Sequence, residues 1–214
     1  MMHKIENILP MDIEKKSFEI ITRELRDVEI NEKNLIIIKR VIHTSADFDY
    51  LDNMYFSNGV VDKAVNAIKN GVTIVADTQM VKAGINKKVL KRFSSEVVCF
   101  MADEDVAKEA RRRGVTRAII SMERAAKIQG PVMFAIGNAP TALIKLYEMI
   151  ENREITPELI IGVPVGFVNV VESKELIIDS NIDSIVSKGR KGGSNIAAAI
   201  CNALIYIASE NERE

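Results

Sequence analysis

From residue 72 onward the chain alternates short β-branched runs with helix-like stretches, and this alternation is what most limits the folds open to it. Strands that are apolar along their whole length are buried on both faces, so the pattern predicts a parallel sheet with helices on each side. The predicted strands are 72–76, 97–101, 132–136, 159–161 and 182–186. The predicted helices are 103–113 closed by Gly114, 116–128, 141–152, 168–176 and 194–209, the last with Ser194 as N-cap. Before the alternation the chain reads as helical. Asp12 caps a segment with Ile13, Phe18, Ile21 and Leu25 on one side, 34–43 is almost solidly apolar, and 60–70 is stopped by Gly71. The expected fold class is therefore α/β, a three-layer α/β/α arrangement with a mainly parallel sheet and a helical N-terminal portion. With 214 residues, 47% of them hydrophobic, and no linker or repeat, one domain spanning 1–214 is expected.

Composition removes several function classes. A formal charge of −1 gives no support for a nucleic-acid or membrane-surface protein. The two cysteines, Cys99 and Cys201, are isolated and the only histidines are His3 and His43, so no zinc spacing is present. The opening MMHKIENILPM lacks the apolar core of a signal peptide, and the longest apolar stretch is too short to span a bilayer, so a cytoplasmic location is expected.

The Gly/Pro/Asn-rich clusters fall directly after predicted strands: DTQMVKAG (77–84), GNAPTAL (137–143), GVPVGFVNVVESK (162–174) and SKGRKGGSN (187–195). Loops leaving the carboxyl ends of parallel strands emerge on one edge, where ligands bind. Four such loops converge on a single cleft. Glycines let amides approach a ligand, helix N-termini favour anions, and Lys174, Arg190 and Lys191 add positive charge. The plain alternative for each glycine is a tight βα turn. GRKGGS lacks the P-loop spacing and GNAPTAL lacks the dinucleotide fingerprint. Asp77 and Glu172 lie in these loops and suit either of two roles, orienting a ligand or capping a helix.

His43 ends the apolar 34–43 segment, with Arg40 one helical turn earlier and the hydroxyls of Thr44 and Ser45 after it. His3 lies in the N-terminal segment, so His43 is the candidate for neutral-pH proton chemistry. Cys99 and Cys201 read as small core hydrophobes, and Arg111–Arg112–Arg113 as a solvated helix end.

Five separated motifs, RVIHTSAD with the preceding IK, DTQMVKAG, AIGNAPTAL, GVPVGFVNVVESK and GRKGGSNIAAA, together resemble the precorrin-8X methylmutase family of cobalamin biosynthesis, from about Ser17 to the end of the last helix. The resemblance implies a homodimeric isomerase that moves a methyl group between adjacent ring C carbons of precorrin-8 or its cobalt form. The product is then hydrogenobyrinic or cobyrinic acid, and no redox cofactor or metal is used by the protein. It implies that His43 is the catalytic proton donor. It also implies a polycarboxylate corrinoid held by a rim of Ser17, Arg40, Arg117, Lys174, Arg190, Gly192, Gly193 and Ser194. Thr78, Met80, Val81, Asn138, Ala139, Thr141 and Phe167 would lie nearer the macrocycle, with Thr44, Ser45, Asp77, Glu172 and Ser173 completing the binding set. A broad apolar macrocycle fringed with carboxylates calls for an apolar slot rimmed by anion donors. The competing reading is a non-catalytic tetrapyrrole carrier, which has no use for an acid/base group in RVIHTSAD. A nucleotide-dependent enzyme of similar architecture is the third.

Overall fold

The computed structural model describes residues 8–25 and 28–210, so His3 and the last four residues lie outside the described residues. The strands are β1 Met54–Phe56, β2 Thr73–Ala76, β3 Glu96–Val98, β4 Val132–Ile136, β5 Leu159–Gly162 and β6 Ser184–Ser187. They form one sheet in the order β1-β6-β5-β4-β2-β3, parallel throughout except for β1, which runs antiparallel to β6. The helices are α1 Pro10–Leu25, α2 Glu32–Ser45, α3 Tyr50–Asn53, α4 Val60–Lys69, α5 Gln79–Gly84, α6 Lys87–Leu90, α7 Glu104–Arg113, α8 Arg117–Ala125, α9 Pro140–Glu151, α10 Val170–Asp179 and α11 Ser194–Ala208.

Successive strand residues point to opposite faces, and here both faces are dry. Ile74, Met133, Ala135 and Ile161 join one core with α2, α4 and α11, whereas Val75, Phe134, Ile136 and Ile160 join another with α8, α9 and α10. Each large aliphatic side chain so buried contributes roughly 1.5–3 kcal/mol. The buried alanines of α11, among them Ala197, Ala198 and Ala203, let Ile37, Ile38, Val41 and Ile42 of α2 pack into the same core.

The departures from the expected boundaries have local causes. α1 starts at Pro10 rather than after Asp12, because a proline in the first turn lacks only an N–H that would be orphaned anyway. Its Ile13 is 52% exposed while Ile21 and Leu25 are buried. β3 stops at Val98, so Cys99 lies just past the strand and is still buried. β6 starts at Ser184, later than expected. The segment after His43 holds α3 and the edge strand β1, which no pattern announced, and most of 77–84 is the short helix α5 rather than loop.

Candidate active site

β2 ends at Ala76, and the next residue, Asp77, is fully buried. Its Oδ1 accepts the Gly137 amide at 2.8 Å, and its Oδ2 accepts the Asn138 and Ala139 amides at 2.7 Å each. A helix start leaves its leading amides without partners. Ala139 is the N-cap of α9, so only its amide belongs to the helix start, and Asp77 holds that amide together with the two loop amides before it. Burial pushes the Asp77 carboxyl above the usual carboxylate range, opposed by these three amides. Helix capping is seen only in part, at the Ala139 amide, and Asp77 otherwise anchors the loop that leads into α9. The 137–139 amides are thereby engaged by the protein's own carboxylate.

The remaining loops meet as expected, and they meet backbone to backbone. A Cβ on Gly137 would sit 2.7 Å from Ser194 Cα, and one on Gly192 would overlap the Val163 carbonyl oxygen. Gly193, at φ +135°, donates its amide to Val163 at 2.8 Å. These glycines let loops approach one another, which is closer to the plain reading than to ligand contact. Gly193, not Ser194, is the N-cap of α11; Ser194 begins the helix, and its hydroxyl pairs with that of Thr78 at 2.9 Å. Thr78 also caps α5 by accepting the Val81 amide at 3.1 Å.

Lys174 is 1% exposed, so it lies beneath the rim rather than on it. Its Nζ donates to the Gly189 and Lys191 carbonyls, both at 2.8 Å, and burial lowers its pKa to about 8. Lys191 turns the other way and bonds Asp47 at 2.6 Å and Asp49 at 2.5 Å. The loop 188–193 is thus held from below by α10 and from the side by the segment that follows His43. Arg190 and Lys191 are both exposed, and Arg190 is the one of the two with no carboxylate partner among the described residues, its guanidinium 5.5 Å from the ring of Phe167.

His43 lies in the last turn of α2, half-buried, with its ring stacked on Phe18 of α1 at 5.2 Å between centroids. Arg40 crosses the same Phe18 ring at 4.7 Å, approaches the Tyr206 ring at 5.4 Å and pairs with Glu14 at 2.5 Å. Ser17, one residue before Phe18, bonds the Ile13 carbonyl at 2.9 Å. Thr44 and Ser45 turn their hydroxyls back to the Arg40 and Val41 carbonyls at 3.0 and 2.8 Å. Ser45 also accepts the Asp47 amide at 3.2 Å, which shapes the turn leading to Lys191. The roles of Phe18, Tyr206, Asp47 and Asp49 were not read from sequence. The carboxylates flanking a histidine and facing a basic loop were the available signal.

Other predicted residues divide by depth. Met80 is 67% and Phe167 83% exposed, and with Val165 and Val168 they give the carboxyl edge an apolar fringe. Val81 and Ser173 are fully buried, and Ala139 nearly so. The side chains of Asn138 and Glu172 face solvent. Thr141 pairs with Thr116 at 3.1 Å and lines a groove of about 250 Å³ with Arg113, Ile119, Glu123 and Lys145. Arg117, at the start of α8, reaches the Met101 carbonyl at 3.4 Å. That groove does not border His43. Both cysteines are buried, as expected of small hydrophobes, and burial pushes the Cys201 thiol up to about 12. Among the described residues no group of three His, Cys, Asp or Glu side chains is placed to hold a metal ion.

The family model described as CbiC, precorrin-8X methylmutase, matches residues 12–207, a span that contains His43 and all four carboxyl-edge loops. The chain belongs to the precorrin-8X methylmutase family. It is 43% identical to the cobalt-precorrin-8 methylmutase of Priestia megaterium, over 94% of this chain and 89% of that protein. It is 36% identical to the precorrin-8X methylmutase of Pseudomonas aeruginosa, over 94% and 95% of the two chains. A precorrin-8x methyl mutase structure from Thermus thermophilus superposes with a TM-score of 0.86 at 34% identity, covering 93% of this chain and 98% of that one. The fold and the family expected from the five motifs both hold.

Proposed function

We propose that this chain is the methylmutase that isomerises precorrin-8 during corrin assembly, with His43 donating a proton or hydrogen bond at ring C. Isomerisation of this substrate is what the family and its named members stand for. The observation that carries the residue assignment is the His43–Phe18 stack beside Arg40: one titratable ring, braced by an aromatic wall, next to a fixed cation. An intramolecular methyl shift needs a positioned donor and an apolar slot, and it needs no nucleophile. The apolar fringe of Met80, Val165, Phe167 and Val168 and the outward Arg190 suit a macrocycle with carboxylates at its rim. Cobalt-loaded precorrin-8 is the favoured form, because the Priestia relative named for it is more similar than the Pseudomonas relative named for precorrin-8X. The chain acts in this reading as a single domain and as a homodimer in the cytoplasm, and no described helix is long and apolar enough to cross a membrane.

Anaerobic incubation with metal-free and cobalt-loaded precorrin-8, followed by visible spectrum and product mass, tests the reading. A spectral shift at unchanged mass is the expected result; binding without conversion means a carrier. His43→Ala is expected to lose conversion by at least about a hundredfold while retaining corrinoid affinity. Near-normal turnover of that variant removes His43 from the mechanism.

A further inference from the structure

We propose that Lys174 is a positioning residue: by holding the Gly189 and Lys191 carbonyls inward, it turns the Arg190 and Gly192 amides outward to receive a carboxylate of the substrate. The inference deepens the methylmutase reading and rests on it for the identity of the anion. In a planar trans peptide the carbonyl and the following N–H point in opposite directions. The two 2.8 Å bonds from Lys174 Nζ therefore set two peptide planes at once. Neither the Arg190 nor the Gly192 amide bonds a described residue.

The rest of the loop is pinned so that these planes cannot simply rotate back. Ser187 Oγ also donates to the Lys191 carbonyl at 2.9 Å, the Gly166 amide to the Arg190 carbonyl at 3.2 Å, and the Gly193 amide to Val163 at 2.8 Å. Gly192 has no room for a Cβ. Two outward amides, the Arg190 guanidinium and the first turn of α11 then share one surface of positive potential. Behind them lies a buried ammonium with no carboxylate partner among the described residues. Such a charge favours an anion in front of the peptides it polarises. Its lowered pKa, about 8, still leaves it mostly protonated at neutral pH. Lys174 acts through the peptides and does not touch the substrate.

The test uses the full chain and Lys174→Met, which keeps the length and removes the charge and donors. For precorrin-8, KM is expected to rise about tenfold to a hundredfold with kcat within about threefold, the signature of lost uniform binding. A fully esterified corrinoid, which carries no anion, is expected to bind wild type and variant alike. A properly folded variant with unchanged KM, or one whose loss lies in kcat alone, overturns the proposal. Because Lys174→Met risks misfolding, a second measurement uses 15N-labelled wild type titrated with cobyrinic acid. The Arg190 and Gly192 amide resonances are expected to move downfield, and to stay put with the ester; static resonances with the acid overturn the proposal. If wild type shows these shifts but does not isomerise precorrin-8, the positioning role stands and the methylmutase reading falls.

Discussion

Asp77 and Lys174 are the two charged side chains that the fold buries among the described residues, and each holds backbone groups instead of a partner of opposite charge. A buried polar group left unpaired costs about 1–3 kcal/mol. Asp77→Ala strands three amides and is expected to destabilise the chain by about 3 kcal/mol or more in urea unfolding, with Asp77→Asn intermediate because one acceptor oxygen remains. Lys174 carries a pH signature. Its folded pKa, about 8, lies below the ordinary lysine value of 10.5, so folding penalises the proton. Below pH 8 both states hold that proton and the full penalty applies. As pH rises from 8 to 10.5 the folded state sheds it first, and stability from this group increases, by at most about 3 kcal/mol. Unfolding of wild type relative to Lys174→Met at pH 7 and 9.5 measures this, and a difference that does not change with pH refutes it. Sequence marked both residues as site components because both occur in the predicted ligand-edge loops. Depth decided their roles, and depth depends on where neighbouring strands end, which no local pattern carries.

At the scale of elements, the segment between α2 and α3 and the loop 188–193 are joined by Lys191 to Asp47 and Asp49. Lys191 holds the Asp47 carboxyl below its ordinary range, so the tether persists at pH values where an unpaired aspartate is already half protonated. Exposed pairs of this kind are worth about 0.2–1 kcal/mol each. The double variant Asp47→Asn/Asp49→Asn is therefore expected to speed amide exchange across 188–193 severalfold and to lower kcat/KM for precorrin-8 about two- to tenfold, with little change in melting temperature. Unaltered exchange in that loop would mean that the bridge orders nothing. Five of the six strands were legible as short β-branched runs bounded by turn residues, and the long helices because their period repeats over several turns. β1, α3 and α6 were not, because no apolar run or helical period marks them and each is stabilised by what it packs on. β1 exists because β6 offers it an edge, with Tyr55 opposite Val186.

At the scale of the molecule, the proposed homodimer predicts a sedimentation mass near twice the 23.8 kDa of one chain at micromolar concentration, and a single-chain mass there refutes it. The sheet also carries a check on its own alignment. β2 and β4 pair with Ala76 opposite Ala135, and the Asp77 amide continues that ladder to the Ala135 carbonyl at 3.2 Å. A slip of one residue between these strands would displace Asp77 by about 3.3 Å and turn its side chain to the opposite face. The carboxylate would then be sealed among aliphatic side chains while the 137–139 amides lost their acceptor. Misaligned pairings of nearly equal apolar content are thereby made costly during folding, and one aspartate proofreads the centre of the sheet.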